Sequence, residues 1–80
     1  VLQRLAQLLL TLCELDGQAA AGGILIDRSL THEELANMVG ATRQWVTASI
    51  DRFQKQSLLE VRDRKIVILD RDRLERLAEC

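Results

Sequence analysis

Leu2, Leu5, Leu9 and Leu12 recur at intervals of three and four, and Leu8 and Cys13 widen the same stripe. That spacing predicts an amphipathic helix over residues 1 to about 15, ended by Asp16-Gly17. Residues 17–23 are small or polar, with Gly22-Gly23 as a turn, and Ile24–Ile26 then reads as a short strand, so this stretch is expected to be a loop feeding a sheet edge. Thr31 signals a second helix: its hydroxyl can cap a free N–H while Glu34 reaches back in a capping box. The helix is expected to turn Leu35, Ala36 and Met38 inward and to stop at Val39-Gly40, where glycine tolerates the left-handed conformation of a sharp turn. Thr42 offers another cap, opening a third helix with Val46, Ile50 and Phe53 at helical spacing, so two helices are joined by about three residues.

Beyond Gln56 the pattern shortens to strands. Leu58–Arg62 and Lys65–Leu69 flank Asp63-Arg64, the arrangement of a β-hairpin. Asp70 can cap a last helix that turns Leu74 and Leu77 inward. The expected fold is therefore α+β and mostly α, a winged helix-turn-helix of three to four helices plus a small antiparallel sheet, forming one domain over residues 1–80.

Composition narrows the class. At 80 residues the chain holds one core, built from aliphatic side chains because Trp45 and Phe53 are its only tryptophan and phenylalanine and it has no tyrosine. No apolar stretch approaches the roughly 20 residues of a membrane span. The first residue, Val1, suggests a fragment. Cys13 and Cys80 form no C-x-x-C pair and the single histidine, His32, has no cysteine near it, so no metal centre or other cofactor is expected. Cys13 reads as a small buried hydrophobe, and reduced thiols fit a cytoplasmic protein. The formal net charge of −1 argues against a polyanionic partner until its distribution is considered. Residues 42–65 carry six basic against three acidic side chains, a net +3, and the remainder carries −4.

The order helix, strand, helix-turn-helix, hairpin and final helix resembles the DNA-binding half of the Crp/Fnr transcription regulators. The segment Leu30-Thr31-His32-Glu33-Glu34-Leu35-Ala36-Asn37-Met38-Val39-Gly40-Ala41-Thr42-Arg43 looks like that family's Thr-opened helix, small residue at the helix crossing, glycine in the turn and Ser/Thr-Arg at the start of the recognition helix. Arg4-Leu5-Ala6 through Leu12 and Ile66–Asp70 are also similar. The family usually follows Ser/Thr-Arg with Glu-Thr-Val and a second arginine, whereas this chain has Gln44, Trp45, Val46 and Ala48. Ser49 replaces a branched aliphatic. The resemblance implies sequence-specific binding to double-stranded DNA at a palindromic operator, a homodimer in the full-length protein, RNA polymerase as a possible partner, and an upstream sensor domain and dimerisation helix whose effector cannot be read from residues 1–80.

A helix fits the major groove with its amino end toward the bases. That geometry selects Arg43, Gln44, Thr47 and Ala48 as candidate base contacts. Arg43 can donate twice to guanine O6 and N7, or instead meet a phosphate; Gln44 matches adenine N6 and N7; Thr47 and Ala48 can meet a thymine methyl. Candidate backbone contacts are Thr31, His32 and Thr42 at helix amino ends, and Arg62, Arg64 and Lys65 on the wing. Trp45 either lies against sugar and thymine methyls or packs on the wing or the preceding helix, and packing is the usual use of a lone tryptophan. One histidine and scattered acids assemble no catalytic constellation, so an enzyme is not expected. The alternative from another class is a winged-helix protein-interaction module that does not bind DNA.

Overall fold

A computed structural model describes residues 2–20 and 22–79. Val1 and Cys80, read above as a fragment start and an unpaired thiol, lie outside these. The first helix, α1 (Leu2–Asp16), buries Leu5, Ala6, Leu9, Leu12 and Cys13 along the predicted stripe. Its main neighbour is the last helix, α4 (Arg71–Glu79), which contributes Leu74 and Ala78, with Leu77 only partly buried. Gln3 and Gln7 of α1 each donate through Nε2 to the Ala78 carbonyl, at 3.1 and 3.0 Å. These bonds satisfy an acceptor in the last turn of α4, where carbonyls lack partners within the helix. Asp70 Oδ1 accepts from the Arg73 N–H at 3.1 Å and caps the other end of α4, as expected.

The stretch expected to be a loop is instead a hairpin. β1 (Gly17–Ala20) pairs antiparallel with β2 (Gly23–Ile26) in the register Gly17↔Ile26 to Ala20↔Gly23. Nothing in Gly-Gln-Ala-Ala favours a strand by propensity. The strand forms because β2 is held on its other edge by the wing and presents a row of unpaired N–H and C=O groups to the chain leaving α1. β2 begins at a glycine for a steric reason: a Cβ on Gly23 would lie 2.0 Å from the Ile68 carbonyl oxygen.

α2 (His32–Val39) and α3 (Arg43–Lys55) form the helix-turn-helix. Thr31 Oγ1 accepts from the Glu34 N–H at 3.0 Å and donates to Glu34 Oε1 at 3.2 Å, so the return contact of the capping box goes to the hydroxyl. Gly40 has φ 73°, and its N–H and that of Ala41 both bond to the Ala36 carbonyl. α2 buries Leu35, Ala36 and Val39, whereas Met38 is 46% exposed, contrary to its expected inward position. A short helix buries one face, and Val39, one turn beyond Leu35, takes the place assigned to Met38. α3 buries Val46, Ser49, Ile50 and Phe53. Trp45 is half-buried against the core on the side of α3 that meets the first turn of α1, where it lines a shallow depression with Leu2, Ala48, Ser49 and Arg52. It packs against the core, as the usual use of a lone tryptophan suggests. The smaller side chain at Ser49 leaves that depression unfilled.

The wing is β3 (Leu59–Arg62) and β4 (Lys65–Ile68), with Leu59↔Ile68 to Arg62↔Lys65 in register. β4 also pairs with β2 through Ile24↔Ile68 and Leu25↔Val67, giving a four-stranded antiparallel sheet in the order β1-β2-β4-β3. The sheet's inner residues Ile26, Leu59 and Ile68 join the helices in one core. Asp63 and Arg64 form the two-residue turn with φ 48° and 66°, the left-handed pair of a type I′ hairpin. Both would be less strained as asparagine or glycine. Arg64→Gly is therefore expected to stabilise the fold by roughly 1 kcal/mol, read as a higher urea midpoint with unchanged slope.

Candidate nucleic-acid interface

Burial of one side of α3 leaves Arg43, Gln44, Thr47, Ala48 and Asp51 exposed together around a single shallow depression. Their spacing of one, three, one and three positions keeps them on one helical face. Thr42 caps this helix, its Oγ1 accepting from the Trp45 N–H at 3.1 Å. The first turn of α3 has no acidic residue, so the positive end of its dipole stays uncompensated. α2 differs: Glu33 and Glu34 occupy its first turn. Arg43 and Gln44 make no ion pair or side-chain hydrogen bond among the described residues, leaving their donors available. Asp51 was not singled out from the sequence, though it follows Thr47 by one turn; it is paired with Lys55 at 3.1 Å.

A second cluster lies between the start of α2 and the wing, where Thr31, His32 and Arg64 line a groove floored by Leu30, Val61 and Ile66. His32 Nδ1 lies 2.7 Å from Thr47 Oγ1, a contact that joins the two clusters. Its partners are 15 positions apart, and no local signal announces it.

The three wing cations are placed differently. Arg62 is paired with Glu60 of the same strand. Lys65 Nζ is 2.6 Å from Asp27 Oδ1, and Asp27 Oδ2 accepts from Gln18 Nε2 at 3.0 Å, so one carboxylate ties β4 to β1. The Lys65 ammonium beside it, helped by Gln18, holds the Asp27 carboxyl below the usual carboxylate range. Arg64, at the tip of the turn, makes no ion pair among the described residues. Cys13 is buried, and desolvation pushes its thiol up, with Arg71 opposing. Among the described residues no group of three or more His, Cys, Asp or Glu could hold a metal ion, and no helix is long and apolar enough to cross a membrane.

Residues 3–77 match the Crp-like helix-turn-helix domain. The chain is 32% identical over 75 residues to a CRP-like cAMP-activated global transcriptional regulator of Mycobacterium tuberculosis, covering 94% of this chain and 34% of that protein. It is 34% identical over 65 residues to the global nitrogen regulator of a Nostoc species, covering 81% and 29%. The fold is similar to that of a CO-dependent transcription factor of Carboxydothermus hydrogenoformans, with a TM-score of 0.89 at 32% identity over 96% of this chain and 36% of the other. A CRP/FNR-family regulator of Thermus thermophilus gives 0.88 at 32% identity, covering 100% and 41%. The chain thus spans about a third of the length of the curated relatives it matches.

The Asp27–Lys65 pair has a measurable signature. Because the folded-state carboxyl is depressed, its contribution is present above the pKa of the unfolded carboxyl and is lost as pH falls through the folded value. Asp27→Asn is expected to lower stability modestly at neutral pH, since the pair is partly exposed, and the difference from wild type should begin to shrink at about pH 4 and vanish only below the depressed folded-state value. Denaturant titrations from neutral to acid pH measure this.

Proposed function

The chain belongs to the Crp-like helix-turn-helix family, and from that premise we propose that it binds duplex DNA with α3 in the major groove and the wing against the sugar-phosphate backbone. The observation that carries the proposal is the outward face of α3: Arg43, Gln44, Thr47 and Ala48 share one exposed surface directly opposite the side that is locked into the core. The relatives are transcription regulators rather than enzymes, and the domain accordingly serves as the DNA-binding part of such a regulator.

On this reading Arg43, in the first turn of α3, donates two hydrogen bonds to guanine O6 and N7. Gln44 pairs with adenine N6 and N7, and the methyls of Thr47 and Ala48 contact thymine. Thr42 and the uncompensated N–H groups of α3 meet phosphate, with Thr31 and His32 on the neighbouring strand segment. Arg64 is the leading wing contact because its guanidinium is uncommitted. Lys65 and Arg62 act as secondary contacts, since each must share its charge with a carboxylate. In the whole protein, two such domains in a homodimer read the halves of a palindromic operator about one helical turn apart, below a sensor and dimerisation segment, and RNA polymerase is a candidate partner.

The reading is tested with the chain joined to an upstream dimerising coiled coil, by salt-dependent binding and by selection from random duplexes. Arg43→Ala is expected to remove discrimination at one base pair, a loss on the order of 1–3 kcal/mol against the preferred base. Arg64→Gly, although stabilising to the fold, should weaken all sequences alike and reduce the salt slope by about one. Equal losses on specific and random DNA for both variants would overturn the base-reading role of Arg43, and salt-insensitive or absent duplex binding would favour the protein-interaction module.

Gln44→Glu checks the departure from the family pattern. An ionised glutamate only accepts hydrogen bonds and suits the cytosine amino group, whereas glutamine donates and accepts and suits adenine. The expected outcome is a shift at one base pair from A·T toward G·C, with the guanine read by Arg43 retained. Unchanged selected sites would mean that Gln44 points away from the bases.

A further inference from the structure

The His32–Thr47 contact caps no helix. Thr31 and Thr42 cap α2 and α3, and the core between the two helices is made by Leu35, Ala36, Val39, Val46 and Ile50. What the contact does is bring an imidazole from the groove beside the wing onto a hydroxyl on the outward face of α3, at 2.7 Å. We infer that His32 is a specificity-determining positioning residue: through this hydrogen bond it decides whether Thr47 offers the DNA an acceptor or a donor. The inference rests on the proposed reading, in which Thr47 faces the bases, and adds to its methyl contact a hydrogen bond from its hydroxyl to a neighbouring base edge.

A threonine hydroxyl has one hydrogen and two lone pairs. When Nδ1 of the neutral imidazole accepts, the Thr47 hydrogen is consumed and only lone pairs face outward, which suits an exocyclic amino group. When Nδ1 takes a proton from solvent, it becomes a donor to Oγ1, and the Thr47 hydrogen is free to turn toward a base acceptor. Cytosine presents only the N4 donor in the major groove and guanine only the N7 and O6 acceptors, so these two bases respond in opposite directions. Histidine as a residue type is the side chain whose charge changes between about pH 5 and 8, which sets the window for the test. The charged groups on the elements around the imidazole are Glu60, Arg62, Asp63, Arg64 and Lys65 on the wing, Asp27 and Arg28 before α2, Glu33 and Glu34 on α2, and Arg43, Asp51, Arg52 and Lys55 on α3.

The test is binding-site selection with the dimerised chain at about pH 8 and about pH 5.5, for wild type, His32→Gln and Thr47→Val. At one half-site position the wild-type ratio of guanine to cytosine is expected to rise about five- to tenfold on acidification, the worth of one hydrogen bond. His32→Gln should hold one preference at both pH values. Thr47→Val should lose preference there at both, while keeping the guanine of Arg43. In the free protein, imidazole 15N shifts should show Nδ1 as an acceptor near pH 8 in wild type and not in Thr47→Val, a readout independent of DNA. A wild-type ranking unchanged by pH, with Thr47→Val still altering it, overturns the role of His32 and leaves the base contact standing. Uniform strengthening of all sequences in acid makes His32 a phosphate contact and overturns it equally. Identical selected sites for Thr47→Val and wild type instead overturn the hydroxyl contact, and with it the role of His32, leaving only the methyl of Thr47 against thymine.

Discussion

Burial of Val46, Ile50 and Phe53 along one side of α3 governs the rest of the molecule, because it fixes the rotation of that helix about its own axis. Once those three side chains are fully enclosed, Arg43, Gln44, Thr47 and Ala48 have no orientation open to them but outward. The caps at Thr42 and Gly40 set where the helix starts and how it leaves α2, but they do not set its rotation. A 100-degree error in rotation would bring Thr47 inward and expose Val46, which the loss of two or three buried apolar groups makes prohibitive. The outward face of α3 is thus a by-product of core packing.

Features encoded within a few residues were legible in the sequence. The caps at Thr31, Thr42 and Asp70, the glycine stop at Gly40 and the Asp63-Arg64 turn each depend on contacts within about five positions, and each is found where the spacing put it. The misses have a common cause, which is dependence on partners distant in the chain. β1 exists because β2 has an open edge, not because Gly17–Ala20 prefers extension. Met38 lies outward because the narrow stripe of an eight-residue helix has room for Val39 instead. Asp27 holding Lys65, and His32 meeting Thr47, link residues 38 and 15 positions apart. Of the candidate surface, residue identities were legible and their present partners were not: wing cations that look equivalent in the sequence are divided by structure into one uncommitted and two paired.

The sheet changes what the wing is. A two-stranded hairpin alone is marginal in water, but here β4 is flanked on both edges and contributes Ile66, Val67 and Ile68 to the buried set. Arg62, Arg64 and Lys65 are therefore carried on a stiff platform, with Lys65 tied to Asp27 and Arg64 left at the tip without an ion pair among the described residues.

α1 passes into β1 without an intervening linker, Asp16 ending one and Gly17 beginning the other, and it packs at the same time on α4, β2 and α2. The first helix is in consequence the handle of a single lever whose far end is α3. A twist applied to α1 cannot be absorbed by a hinge between it and α3, for both are seated in the same close-packed interior. The domain moves as a whole, and the direction in which the exposed face of α3 points is set by the angle at which α1 is held.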